Sequence, residues 1–121
     1  IFSHSLFFDR REFEHQVAAF GATHRVVVYD HRGHGLTGPA SDKRYDQEAL
    51  AEDAIALIER IGGPVHFVGQ SMGGFVGLRI AARRPDLLKT LIVCGSSADA
   101  EADPARFAPL IAHLAEHGTH G

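Results

Sequence analysis

The sequence predicts an α/β domain built on a parallel sheet, and three observations carry that expectation. Strand-like and helix-like segments alternate along the 121 residues with short connections, which is the pattern of βαβ units. Arg25–Asp30 holds Val26-Val27-Val28-Tyr29 at its centre, a β-branched run of the kind buried on both faces of a parallel sheet. The apolar run Val65–Val68 leads directly into Gly69-Gln70-Ser71-Met72-Gly73 and then into the helix-like stretch Phe75–Arg84. That is strand, tight turn and helix, with a serine at the tip.

Each element has a local reason. Ile1-Phe2-Ser3-His4 reads as the last part of a buried strand. Arg11–Phe20 places Phe13, Val17 and Phe20 at helical spacing, and Gly21 closes that helix. Residues 31–46 are rich in Gly, Pro, Ser and Asp and read as loop. Gln47–Ile61 is the strongest helix: Leu50, Ala54, Leu57, Ile58 and Ile61 form one apolar stripe, and Gly62-Gly63-Pro64 ends it. Strand Val65–Gly69, helix Gly73–Arg84 and strand Thr90–Cys94 follow, with a last helix from about Pro104 to Glu116. There are no internal repeats.

Composition narrows the partners. The formal net charge is −3, which gives no attraction for nucleic acid or for an anionic membrane. No apolar run approaches the ~20 residues of a membrane span. The single cysteine, Cys94, cannot form a disulfide within the chain and is expected as a reduced, buried core residue. No signal-peptide pattern is visible, so the cytoplasm is the expected location.

The chemistry centres on Ser71. In G-x-S-x-G between a strand and a helix, the turn is so tight that the serine is forced into a strained backbone conformation. Residues on either side must be small, and Gly69 and Gly73 meet that need. The hydroxyl is then presented beside the N–H of Met72 and a helix N-terminus, where an oxyanion is stabilised. The competing explanation is a glycine-rich βα turn that binds phosphate. No phosphate-loop pattern spans this turn, and no lysine follows it.

With these segments in place, the sequence resembles the α/β-hydrolase family. Ser3-His4-Ser5-Leu6 is similar to the family's His-Gly loop after the third strand. Tyr29-Asp30-His31-Arg32-Gly33-His34-Gly35-Leu36-Thr37 is similar to its Asp-x-Arg-Gly-x-Gly-x-Ser segment after the fourth. Pro85–Val93 is similar to the turn and strand after the elbow helix. The likeness runs to about Ala98 and is nearest to the cofactor-free lactonase, esterase and carbon–carbon hydrolase branch. It implies the third to sixth strands of the central parallel sheet with flanking helices, in spatial order four, three, five, six. Residues 1–98 are then a partial core, and 99–121 the start of a cap or a truncated tail. The outer strands Arg25–Asp30 and Thr90–Cys94 become apolar edges.

The resemblance implies that Ser71 is the catalytic nucleophile and that the N–H groups of Leu6 and Met72 form the oxyanion hole. Each such donor is worth on the order of 3 kcal/mol of barrier. Ser5 stands where the family usually has glycine, which leaves Phe7 as the second choice of donor. His4 reads as a structural histidine. Asp30 and Arg32 read as groups that satisfy the Gly33–Gly35 loop. His113 and His117 share a helix face at metal-ligand spacing, with Glu116 and His120 nearby, which could serve as a zinc site or as the triad base; a solvated helix end explains them better, because Gly118 breaks the helix before His120 and no third ligand and no H-E-x-x-H pattern is present. Neither a cofactor nor a metal is expected.

A serine hydroxyl needs a histidine to take its proton and an acid to hold that histidine, in the chain order Ser, Asp or Glu, His. The resemblance implies an acid after the seventh strand, or sometimes the sixth, and a histidine after the eighth; this sequence shows only one strand beyond the elbow. Asp99 and Asp103 lie in a polar, alanine-rich segment and fit the acid poorly. The expectation is a serine hydrolase for a small-molecule ester, lactone or related acyl substrate, lacking its catalytic acid and histidine. The alternative is a non-catalytic binding module or an inactive fragment of the same fold.

Overall fold

A computed structural model describes residues 1–118. Its centre is a three-stranded parallel sheet in the order β1 (Phe2–Ser3), β2 (Val65–Gln70), β3 (Leu88–Cys94). Phe2 pairs with Val68 and Ser3 with Gly69 on one side of β2; Phe67 pairs with Leu91 and Gly69 with Val93 on the other. Between these strands lie α1 (Glu14–Phe20), α2 (Gln47–Ile61) and α3 (Met72–Arg83), and α4 (Ala108–His117) follows them.

The core forms where α2 and α3 bury one face of the sheet. Leu50, Ala54 and Ile58 of α2 meet Val76 and Ile80 of α3 over Phe67 of β2. Phe67, Ile58, Val76 and Ile80 are fully buried. Asp46 caps α2 by accepting from the N–H of Ala49 at 2.9 Å, and Gly62 ends it at φ 84°. Both bounds fall where the apolar stripe placed them.

Three expectations are corrected. Arg25–Asp30 is not a strand: only Val28 bridges to Phe2, and the N–H of Phe2 donates to the carbonyl of Val27 at 2.9 Å. Its neighbour β1 is two residues long, so a ladder has nothing to extend along. The segment still lies beside β1, which keeps the expected spatial order, but Val26–Asp30 are half-buried instead of enclosed on both faces. Cys94 is exposed, because β3 is the outer strand and none of the described residues covers its end. The first helix begins with a 3-10 turn, Arg10–Phe13, and only Phe13 is buried; its ring centroid lies 5.0 Å from that of Phe2. No helix among the described residues is long and apolar enough to cross a membrane.

Candidate active site

Ser71 stands between β2 and α3 with φ 48° and ψ −112°, a backbone conformation that costs a non-glycine residue on the order of 1–3 kcal/mol. The surroundings hold it there. Its N–H donates to the carbonyl of Cys94 at 2.8 Å, and its carbonyl accepts from the N–H groups of Gly74 at 2.9 Å and Phe75 at 3.1 Å. A side chain at position 69 would strike the backbone of Gly73, and one at 73 would strike the carbonyl of Ser3. The two flanking glycines are therefore required by close approach, and the second lets the end of β1 pack against the turn.

That approach brings the Ser3–Leu6 loop beside the elbow. Ser5 N–H and Oγ–H both donate to the carboxylate of Glu12, each at 2.7 Å. The left-handed residue of this loop is Phe7 at φ 68°, not Ser5, so the backbone makes no demand for glycine at position 5. Among the described residues, the N–H groups of Leu6, Phe7 and Met72 donate to no protein acceptor. The side chains of Leu6, Phe7 and Phe8 are all about half exposed and form an apolar rim.

His4 is fully buried and structural. Its Nδ1–H donates to the carbonyl of Ser5 at 2.8 Å, and its Nε2 accepts from the N–H of His31 at 3.0 Å. Both partners are backbone groups, so the tautomer is fixed and the ring must be neutral. Burial lowers its pKa below the ordinary histidine value. His31 lies against it, with ring centroids 4.5 Å apart. Its Nε2 meets Ser3 Oγ at 2.9 Å, and that hydroxyl also meets the Tyr29 hydroxyl at 2.9 Å. Burial, reinforced by His4 and His34, pushes the His31 pKa down to about 3.

Asp30 and Arg32 brace the loop. Asp30 accepts from the N–H of Arg10 at 2.7 Å and of Leu36 at 2.9 Å, and pairs with the Arg10 guanidinium. Burial pushes its pKa up, but these donors outweigh it and leave the carboxyl below its ordinary value. Arg32 reaches Asp53 of α2 at 2.6 and 2.7 Å. Gly33–Gly38 spells G-x-G-x-x-G, yet this loop opens no helix; α2 begins only at Gln47.

The structure packs Ser3, at the end of β1, against the turn that carries Ser71 and Met72. No histidine among the described residues is hydrogen-bonded to Ser71 Oγ, and His4 of the Ser3–Leu6 loop is committed to the Ser5 carbonyl and the His31 N–H. His113 and His117 stack on exposed α4 with centroids 4.5 Å apart, and the His117 Nδ1–H donates to the carbonyl of His113 at 3.1 Å. No metal-binding cluster occurs among the described residues, and His120 lies outside them. Ser71 lines neither of two clefts, one of about 370 Å³ beside Arg32 and one of about 710 Å³ under the open sheet face. Sequence reasoning missed Glu12, His31 and Ser96, whose hydroxyl donates to the Ser71 carbonyl at 2.6 Å.

A family model described as the alpha/beta hydrolase fold matches residues 1–113. The chain belongs to the α/β-hydrolase fold family. It is 36% identical over 90 residues to the putative carbamate hydrolase RutD of Agrobacterium fabrum, covering 74% of this chain and 34% of that protein. It is 37% identical over 100 residues to 3-oxoadipate enol-lactonase 2 of Acinetobacter baylyi, covering 81% and 37%. Among solved structures, the enol-lactonase of Burkholderia xenovorans superposes with TM-score 0.84 at 32% identity over 98% of this chain and 45% of that one. A thermophilic esterase of Thermogutta terrifontis superposes with TM-score 0.85 at 27% identity, again over 98% and 45%. The chain spans about a third of the length of the curated relatives it matches. These relatives are hydrolases by name.

Proposed function

We propose that Ser71 is the nucleophile of a hydrolase acting on an ester, lactone or related acyl substrate, with the N–H groups of Leu6 and Met72 as oxyanion donors. The observation that carries this reading is the strained Ser71 backbone at a strand-to-helix turn, together with Leu6 and Met72 N–H groups that no protein acceptor uses among the described residues. Such strain persists only where the surroundings enforce it. Ester, lactone and carbamate share a carbonyl carbon bonded to a heteroatom. Ser71 Oγ adds to that carbon, the carbonyl oxygen takes the negative charge into the oxyanion hole, and the heteroatom leaves with the proton that a base took from Ser71.

The base and its acid are supplied by a longer protein of which these residues are part. Supporting this, the chain spans about a third of its curated relatives, and no described histidine is bonded to Ser71. Residues 99–118 begin a cap over the site; the apolar Leu110 and Ile111 of α4 are exposed and suited to such a contact. A binding module without catalysis is the second reading, favoured by that missing base.

The test is a longer protein carrying residues 1–121, assayed on an activated acyl ester beside Ser71→Ala. Ser71→Ala is expected to lose several orders of magnitude of kcat with its fold intact, since the serine fills no core space. Retained turnover in Ser71→Ala rejects the nucleophile; absence of turnover in both proteins favours the binding module.

A further inference from the structure

Gly69 and Gly73 are explained by the elbow, but Gly74 and the loop after β3 are not. A side chain at position 74 would collide with Ser96 Oγ and lie tight against Val93. Gly74 thus clears the space into which Ser96 reaches. Ser96 is half-buried, and its hydroxyl donates to the Ser71 carbonyl at 2.6 Å, with a weaker contact to the Cys94 carbonyl at 3.3 Å. The two residues are 25 apart in the chain.

We propose that Ser96 is a positioning residue for the oxyanion donor: its hydroxyl holds the plane of the Ser71–Met72 peptide so that the Met72 N–H points into the site. This rests on the reading of Met72 as a donor. A trans peptide is planar, with its C=O and N–H directed oppositely. Fixing the Ser71 carbonyl therefore fixes the direction of the Met72 N–H. Two holds already come from the first turn of α3, through Gly74 and Phe75. Ser96 adds the only hold on this carbonyl from outside α3 among the described residues. It comes from the β3 side of β2, and β1 with its Ser3–Leu6 loop lies on the other side. The N–H is thus turned away from the β3 loop. An oxyanion donor is effective only when pre-aimed, because an N–H that must reorient during reaction gives back part of its stabilisation.

The test uses the fact that the chain has one methionine. Labelling with 1-¹³C serine and ¹⁵N methionine makes Ser71–Met72 the only doubly labelled peptide unit, so one NMR correlation reports this carbonyl carbon and this amide. A hydrogen bond deshields a carbonyl carbon. Folded Ser96→Ala is expected to shift the Ser71 carbon upfield and move the Met72 amide, while Ser96→Thr, which keeps the hydroxyl, restores both toward wild type. An unmoved Ser71 carbon in folded Ser96→Ala overturns the proposal. So does a Ser96→Ala chain that loses its dispersed spectrum, which makes Ser96 a structural residue instead. Failure here is separable from failure of the hydrolase reading: the latter appears as turnover surviving Ser71→Ala and leaves this correlation unaffected.

Discussion

The elbow with the helix behind it and the C-terminal helix both carry apolar residues in the sequence, yet they end in opposite environments. Around Ser71, contacts arrive from β1, from the loop after β3 and from the first turn of α3. Along α4, no residue is buried, and Leu110 and Ile111 face solvent at 49% and 62% exposure. A helical stripe states which face wants a partner. It does not supply the partner. α2 and α3 find one in β2; α4 finds none among the described residues.

This contrast is broken most severely in the core. Phe67→Ala removes a fully buried ring between α2 and α3 and is expected to cost about 4 kcal/mol in urea unfolding. A loss below ~1 kcal/mol would mean that α2 and α3 do not clamp this strand. Next comes Gly73→Ala, at about 3 kcal/mol, because its methyl would meet the Ser3 backbone, which cannot swing aside as a side chain tip can. An unchanged unfolding midpoint would show that β1 and the elbow are not in contact.

Acid acts on the same region. His4 and His31 are buried neutral, with pKa values below the ordinary 6.5 and, for His31, about 3. Below pH 6.5 the unfolded chain binds protons that the folded chain refuses, so stability falls as pH falls. For His31 the loss runs from about pH 6.5 toward pH 3, at about 1.4 kcal/mol per unit. Urea midpoints at pH 7.5, 6.5 and 5.5 should decline in that order, and His31→Gln should flatten the decline. A flat profile in the wild type removes the buried-neutral assignment. The smallest effect is expected in α4, where Leu110→Ala should change stability by less than about 0.5 kcal/mol. A larger cost would reveal a partner for that helix.

Much of this was legible from residue order. The stripe from Leu50 to Ile61 with Gly62 behind it defines α2 at both ends, because helix bounds depend on nearby residues. The elbow was legible because a tight turn admits so few side chains. Arg25–Asp30 misled, since its valines describe a strand's taste for burial while pairing depends on β1, which is too short to offer a ladder. Cys94 misled for a similar reason: an apolar run does not say whether another strand lies outside it. Ser96 carried no local mark at all. Its role depends on a hydrogen bond across two strands, and the one hint was the second glycine, Gly74, beyond what the motif requires.

The central claim is that Ser71 attacks the substrate carbonyl. Trypsin would release Ile61–Arg79, a peptide in which Ser71 is the only serine and which contains no threonine, cysteine or lysine. A longer protein carrying this chain, quenched with acid during turnover of an activated acyl ester and digested, should show the acyl mass on that peptide, and the mass should vanish in Ser71→Ala. An acyl group trapped on a different peptide, or turnover that survives Ser71→Ala with no adduct on this one, would contradict the account.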